Sequence, residues 1–385
     1  MKDDTQETGR RGRYFQYAVF ALAALLVLSL GLVVIPREPP PPAAPPFSEQ
    51  ARAQAFADSL TLRAAARGLE DSTGSALPPG QAAAIGRAVT LLTMQARALM
   101  LPAGVASTSA SAPTPSAPVA SPPTVPGLAT ALQASGAQRL KDAESADGGM
   151  ARLLAGAGTA QLLAAADLAT AAGIPLVPLP VAPLSGGALP GSAISGSALS
   201  GSAGTASAGL PGPSCASGSG SPAADLDAAL VLALEGEWEL VYAYQAALTR
   251  LDPASVAPAS DFLVRHAALS TEAAARLGAH CAAVPPRPPG YALGQEFLAG
   301  PAAGLGTLEA GMLPVLGDAV ALSEGSDRVW ALSALQSAAS MTAHWGVPPG
   351  PVPGVVLDES LLPHLPEGAP ATGPSSTGAR SPGNS

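Results

Sequence analysis

The fold is decided by residues 233–248, which read ALEGEWELVYAYQAAL. The apolar residues of this stretch recur at the three- and four-residue spacing of an α-helix and share one face. That face carries Leu234, Val241, Tyr244 and Leu248. Glu237 lies at its centre, whereas the neighbouring glutamates point to the opposite side. A carboxylate in an apolar stripe is costly without a partner, so Glu237 predicts a buried polar contact.

Three further helical patterns follow, and two of them also place one ionisable residue in an apolar stripe. The sequence predicts four helices, at about 225–251, 258–284, 300–323 and 327–345. His266 lies on the apolar face of the second helix, and Glu309 lies on that of the third. The three ionisable residues are therefore either each other's partners or the remnant of a site.

The connections between these helices predict their directions. A short turn joins the first two, so we expect them to be antiparallel neighbours. The 13 residues at 285–297 reach about 43 Å when extended, enough to cross a bundle about 35 Å long. The predicted fold class is therefore all-α, with an up-down-down-up four-helix bundle and one long crossover, which is the ferritin-like arrangement.

Three segments of this region resemble a known family. They are residues 233–248, the His266 helix with its Pro-rich link, and residues 344–355, which read HWGVPPGPVPGV. Over about 226–356 the chain is similar to an actinobacterial ferritin-like domain of unknown function, found in membrane-anchored and exported proteins. The resemblance implies a four-helix bundle and offers no activity to transfer.

The most specific part of the resemblance is an E-x4-Y-x-Y pattern in the first helix. Glu237, Tyr242 and Tyr244 match this pattern. Trp238 stands where the family commonly has His, so the chain departs from the family at this position.

A di-iron ferritin-like site needs one Glu from each of two helices and a Glu-x-x-His pair from each of the other two. The chain supplies two glutamates and one His, with Leu263 at the position paired with His266, and the fourth helix supplies no ligand. We therefore favour a buried polar cluster that binds no metal or cofactor. Its predicted members are Glu237, His266, Glu309, Tyr242 and Tyr244. Metal binding by the ionisable residues and separate solvation of each are the alternatives.

Other functional signals are missing from the sequence. It contains no nucleophile elbow, P-loop, dinucleotide fingerprint or H-E-x-x-H motif, so we expect no catalytic residue and no enzyme. His280 and His344 fall near helix ends, where solvation or capping is expected. The net charge of −9, with no basic run beyond the N-terminus, argues against binding to nucleic acid.

A charge-free run at residues 14–35 predicts a transmembrane helix, since its 22 residues are long enough to cross a bilayer. Arg10, Arg11 and Arg13 precede it, which predicts a cytoplasmic N-terminus and an extracytoplasmic remainder. The alternative is a cleaved signal peptide. The length of the run and the lack of an A-x-A cleavage site favour an uncleaved anchor in the cell membrane.

Composition divides the rest of the chain into helical parts and linkers. We predict a cytoplasmic segment at 1–13, the membrane helix at 14–35, a Pro-rich spacer at 36–47, a helical region at 48–173 with a disordered linker at 103–126, a Pro-rich then Gly/Ser-rich linker at 174–224, the bundle at 225–356 and a disordered tail at 357–385. The helices at 48–173 either form a bundle of their own or lie against the C-terminal bundle as an arm.

The two cysteines of the chain are predicted to lie outside the membrane, where disulfides persist. Cys215 lies in the flexible segment before the first bundle helix, and Cys281 lies in the last turn of the second. These two helix ends share one end of an antiparallel pair, so a Cys215–Cys281 bridge is geometrically easy. Two free thiols are the alternative.

Two classes of function follow from the sequence. The first is a membrane-anchored, extracytoplasmic bundle that acts without catalysis as a binding or scaffold module of the cell envelope. The second is a degenerate ferritin-like metalloprotein or oxidoreductase that uses Glu237, His266 and Glu309. The membrane is the expected partner through the N-terminal helix, nucleic acid is not a partner, and an envelope protein partner is left open.

Overall fold

The computed structural model describes residues 15, 17–27, 44–73, 77–100, 124–175 and 223–365. These residues form helices and connecting segments, with no strand among them. The helices are α1 Tyr17–Val27, α2 Phe47–Thr73, α3 Pro79–Leu99, α4 Val125–Ser145, α5 Gly148–Ala172, α6 Ala223–Ala247, α7 Pro253–Ala279, α8 Gln295–Ala299, α9 Pro301–Leu322 and α10 Gly325–His344. The predicted all-α class is thereby confirmed for the described part of the chain.

The chain divides into two units, Met1–Pro45 and Pro46–Ser385. The first unit contains α1, whose large apolar side chains, such as Phe20 and Leu25, are exposed. α1 covers part of the membrane helix predicted at 14–35, and residues 28–35 lie outside the described ones. The membrane span therefore stays a prediction.

Two helices of the second unit, α5 and α9, are long and apolar enough to cross a membrane by length and composition alone. In the most apolar stretch of α5, 61% of the residues are buried inside the fold, and in that of α9 the share is 50%. A largely apolar helix that is covered by other helices is what a globular core requires. We therefore interpret α5 and α9 as core helices.

Helices α6, α7, α9 and α10 make up the C-terminal set. α6 packs against α7 and α9, and α9 packs against α10, whereas the backbones of α7 and α10 are farther apart and these helices meet through long side chains. His280 at the end of α7 contacts Asp227 near the start of α6 and Asp327 near the start of α10. Gly306 near the start of α9 lies against Trp345 at the end of α10. α6 and α10 therefore run in one direction, and α7 and α9 run in the other.

The helix boundaries of this set differ from the predicted ones in several places: α6 ends at Ala247 rather than near 251, and α7 ends at Ala279 rather than near 284. α7 begins at Pro253 rather than near 258, because the Asp252 side chain accepts hydrogen bonds from the backbone N–H groups of Ala254 and Ser255. The link from α7 to α9 contains the short helix α8, which the sequence analysis does not predict. These differences leave the order of the long helices unchanged.

Helices α2, α3, α4 and α5 make up the N-terminal set. α2 packs against α3 and α4, and α5 packs against the same two helices. The backbone N–H of Asp147, which caps the start of α5, donates to Ser48 Oγ at the start of α2 over 2.8 Å. Arg52 near the start of α2 donates to the carbonyl of Leu99 at the end of α3. α2 and α5 therefore run opposite to α3 and α4, the same order of directions as in the C-terminal set.

The two sets share one core. Helix α5 packs against both α9 and α10, and the buried Ala155 and Leu154 of α5 belong to the same apolar cluster as Leu313 and Leu316 of α9. The helices predicted at 48–173 therefore both form a set of their own and lie against the C-terminal helices. Most of the predicted linkers at 103–126 and 174–224 falls outside the described residues.

Residues 346–363 fold back after α10 as a C-terminal strap that the N-terminal set holds in place. The Gln95 amide donates to the carbonyl of Pro351 over 2.9 Å. The guanidinium of Arg97 donates to the carbonyls of Glu359 and Leu362 over 2.9 Å each. Composition predicts a disordered tail at 357–385, but the described part of that range, 357–365, supplies the carbonyls that this guanidinium binds. Local composition carries no information about Arg97, a partner more than 260 residues away in sequence.

Close backbone contact between α9 and the strap gives a test of this packing. A Cβ at Gly317 would lie 2.2 Å from the backbone oxygen of Gly354, whereas one at Gly311 of the same helix meets nothing within 4 Å. We expect Gly317→Ala to lower the free energy of unfolding by roughly 1–3 kcal/mol through overpacking. The matched variant Gly311→Ala should raise it by up to about 1 kcal/mol, because Ala favours the helix more than Gly does. Urea denaturation followed by circular dichroism measures both, and equal effects would contradict the described strap.

Candidate functional site

Three ionisable side chains meet in the core of the C-terminal set. Glu237 comes from α6, His266 from α7 and Glu309 from α9, and each residue is at most 1% exposed. They are the three residues that interrupt apolar stripes in the sequence. The helix faces that bury the apolar neighbours therefore also carry these side chains inward.

The side chains form a continuous line of hydrogen bonds. The imidazole Nδ1 of His266 lies 2.7 Å from Glu237 Oε2, and its Nε2 lies 2.9 Å from Glu309 Oε1. The Tyr244 hydroxyl donates to the same Glu309 oxygen over 2.6 Å, and the indole N–H of Trp345 donates to the Tyr244 oxygen over 2.6 Å. We call these five residues the core polar chain. It joins α6, α7, α9 and the end of α10.

The protonation of the core polar chain follows from its geometry. A neutral imidazole has one N–H, so two carboxylates on its two nitrogens require an imidazolium or a protonated carboxyl group. Burial lowers the pKa of His266, but its hydrogen bonds with Glu237 and Glu309 outweigh burial and raise this pKa to about 9. Burial raises the pKa of Glu237, against the opposing effect of His266. The folded chain therefore holds protons here that the unfolded chain releases at lower pH.

Tyr244 stays a neutral hydroxyl in this setting. Burial, and after it the negative charge of Glu309, raise the pKa of Tyr244 well above its usual range. A neutral phenol donates one hydrogen bond and accepts another, which matches its contacts with Glu309 and Trp345. The ring also lies 5.1 Å from the imidazole of His266, measured between centroids. Tyr244 therefore both packs against the cluster and extends it toward the helix end.

The structure does not place Tyr242 in the core polar chain, contrary to the sequence-based grouping. Tyr242 is half-buried, and its ring packs against Tyr291 with the centroids 5.7 Å apart. Two positions along a helix correspond to a rotation of about 200°, so Tyr242 and Tyr244 cannot face the same core. Trp345 is the fifth member of the core polar chain instead. Its indole N–H is contributed from beyond α10, which no local pattern in the sequence indicates.

A second imidazole between two carboxylates lies at one end of the C-terminal set. His280 Nδ1 is 2.8 Å from Asp227 Oδ1, and its Nε2 is 2.9 Å from Asp327 Oδ2. Burial lowers the pKa of His280, but the hydrogen bonds to both aspartates outweigh it and raise the pKa. From its place near a helix end, His280 is expected to be solvated or capping, and the structure instead gives it two carboxylate partners. The two aspartates near helix N-termini are the signal that could have revealed this bridge.

Of the two cysteines in the predicted disulfide, the structure describes only Cys281. Cys281 is disulfide-bonded, and it follows α7 with a left-handed backbone, at a φ of 60°. This is the position after a helix where a left-handed residue closes the last turn. Cys215 lies outside the described residues. The Cys215–Cys281 pairing therefore stays a prediction.

The donor set does not fit the di-iron centre that a ferritin-like fold would imply. The two ring nitrogens of His266 lie on opposite edges of the imidazole and face different carboxylates. An ion bound at one nitrogen would therefore share only Glu237, and an ion at the other would share only Glu309. No group of three His, Cys, Asp or Glu residues in the described ranges has an arrangement that holds a metal ion. The distances from the two His266 nitrogens to the carboxylate oxygens, 2.7 and 2.9 Å, are those of direct hydrogen bonds.

The raised pKa of His266 predicts a pH-dependent stability. The imidazolium stabilises the fold fully below its unfolded pKa of about 6.5, and this contribution is lost as the pH rises through about 9. The difference between these values corresponds to roughly 3 kcal/mol. We expect His266→Gln to reduce the fall in unfolding free energy between about pH 6 and pH 10. His344→Gln, which alters an exposed His on α10, should keep the wild-type profile. Parallel profiles for wild type and His266→Gln would contradict the assignment.

Comparisons with known proteins bear on this same region. Residues 229–356 match a known family, described as a domain of unknown function (DUF4439). This family is related to ferritin-like domains. The match covers about a third of the chain and leaves the N-terminal set outside it. No curated protein and no solved structure matches the chain significantly. The C-terminal set, with all five residues of the core polar chain, is thus a DUF4439 domain.

Proposed function

We propose that the chain is a membrane-anchored, extracytoplasmic helical module of the cell envelope that binds or scaffolds without catalysis. The observation that carries this proposal is the closure of the core polar chain. Both nitrogens of His266 are taken by carboxylates, and the Tyr244 hydroxyl is taken by Glu309 and Trp345. Side chains that are buried and hydrogen-bonded to one another at these atoms stabilise a fold, and burial keeps them from serving a substrate as acid, base or nucleophile.

We further propose that the C-terminal set is a ferritin-like four-helix bundle. Its directions, with α6 and α10 opposed to α7 and α9, are those of an up-down-down-up bundle. The long link between α7 and α9 corresponds to the crossover of such bundles. The match to a family related to ferritin-like domains supports this proposal.

The proposed membrane anchor rests on the first unit. The uncharged run at 14–35 follows three arginines, and its described part is the apolar helix α1. An apolar helix whose large side chains are exposed gains free energy by entering a bilayer. The basic residues on one flank favour a cytoplasmic N-terminus, which leaves α2–α10 outside the cell membrane.

A degenerate metalloprotein is the second candidate, and one observation favours it. Glu309 Oε2 is buried and has no hydrogen-bond partner. A buried carboxylate oxygen without a donor is unusual, and a cation would satisfy it. The division of the two carboxylates between opposite edges of His266 argues against this candidate.

Metal analysis separates the two candidates. We expect the purified full-length protein, expressed in iron-supplemented medium, to contain well below one iron per chain by elemental analysis. Glu309→Gln keeps one carbonyl oxygen but removes the charge, and it should leave the metal content unchanged. An iron content near two per chain that falls in Glu309→Gln would favour the metalloprotein.

Protease accessibility tests the proposed location. In intact cells whose outer layers have been made permeable, added protease should degrade an epitope tag at the C-terminus. A tag placed before α1 should be protected until the cell membrane is lysed. Protection of the C-terminal tag under the first condition would overturn the extracytoplasmic assignment.

A further inference from the structure

A groove runs along α10 between α5 and α7. It lies where the backbones of α7 and α10 are spaced apart, so that long side chains such as Arg265 reach across a gap that α5 borders. All three helices contribute lining residues. The groove therefore joins the DUF4439 domain to the N-terminal set.

A cation without a carboxylate partner lies in this groove. Arg265 of α7 is half-buried and donates to Ser337 Oγ over 2.6 Å, with Ser333 Oγ at 3.5 Å. Its hydrogen-bond partners within the described ranges are thus neutral hydroxyls of α10. Burial lowers the pKa of Arg265, a sign that water solvates its charge incompletely. Most N–H donors of the guanidinium remain available to an anion.

A buried hydroxyl without a partner lines the same groove. Thr159 of α5 is 2% exposed, and its Oγ1 has no hydrogen-bond partner. By contrast, Thr170 of the same helix donates to the carbonyl of Ala166 over 2.8 Å. An unpaired buried hydroxyl is unfavourable, and rotation of this side chain toward the groove would let a ligand atom supply the missing bond.

The remaining surface of the groove is mainly apolar. Leu162 and Leu163 line it from α5, Phe262 lines it from α7, and Met341 lines it from α10. Arg265 is the charged residue of the lining. The groove thus has one cation, one hydroxyl without a hydrogen-bond partner and an apolar wall. These features match a ligand that has an anionic head and an apolar chain.

We propose that this groove binds a single-chain anionic amphiphile. The carboxylate or phosphate head would lie at Arg265 and Thr159, and the chain would lie along the leucines, Phe262 and Met341. This inference rests on the proposed binding role and names its ligand class. Because the whole chain carries a net charge of −9, an anion is attracted here by the local guanidinium and not by the overall field.

Calorimetric titration of the full-length protein in lipid nanodiscs tests the proposal, with empty nanodiscs as the blank. The probes are octanoate, octyl phosphate, octanol and inorganic phosphate. We expect octanoate or octyl phosphate to bind, and octanol and inorganic phosphate to bind at least about tenfold more weakly, because each lacks one half of the ligand. Tighter binding of octanoate indicates a free fatty acid as the natural source, and tighter binding of octyl phosphate indicates a phosphate-bearing lipid.

Variants then assign the binding to the groove. Arg265→Gln should weaken binding of the anionic probes by at least about tenfold, whereas Arg250→Gln, an exposed control away from the groove, should not. Thr159→Val should weaken binding and also raise the melting temperature of the ligand-free protein, because it removes the unpaired hydroxyl. A merely structural role of Thr159 would not combine these two effects.

Three results would overturn the inference. They are equal affinity of wild type and Arg265→Gln for octanoate and octyl phosphate, equal binding of octanol and octanoate, and binding of inorganic phosphate as tight as that of octyl phosphate. None of them depends on which side of the membrane the groove faces. Failure of the ligand assignment is therefore distinguishable from failure of the proposed location, which the protease experiment measures separately.

Discussion

The C-terminal set depends on one interaction, the imidazole of His266 held between the carboxylates of Glu237 and Glu309. Three ionisable groups in an Ala- and Leu-rich core are tolerable only when each satisfies another. The contact fixes the rotation and the axial position of α6, α7 and α9 at once, because a shift of one residue in any helix would expose a charge to apolar neighbours. The apolar positions alone are small and similar, so they define this register weakly.

The N-terminal set solves the same physical problem with a guanidinium in place of the imidazolium, again between two carboxylates. Arg139 of α4 is 1% exposed and binds Asp58 of α2 over 2.9 Å and Asp142 of its own helix over 3.2 Å. In both sets a buried cation connects the first helix of the set with the third, directly here and through His266 in the C-terminal set. The helix directions are the same in the two sets, yet the chemistry is not. The shared feature is therefore a way of fixing helix register and not a duplicated active site.

Local periodicity accounts for what could be predicted from the sequence. Glu237, His266 and Glu309 interrupt apolar stripes, and such interruptions point inward whatever the tertiary structure. Trp345 could not be found this way, since it lies beyond the end of α10 and reaches Tyr244 across the set. The same holds for Arg97, whose partners are 262 to 266 residues away in sequence. Contacts of this kind depend on how helices are placed, about which spacing within one helix carries no information.

The family-matched segment, residues 229–356, contains the whole core polar chain but only part of the groove. The core polar chain lies entirely within residues 229–356, so its chemistry belongs to the DUF4439 domain. The groove does not, because α5 contributes Thr159, Leu162 and Leu163 from outside the matched segment. The same α5 covers part of α9 and α10 and supplies Arg152, which donates to the strap carbonyl of Gly354 and pairs with Asp318 of α9. One helix thus both completes the core of the domain and forms a wall of its groove. The lining of the groove is therefore set by α5 as well as by the DUF4439 domain.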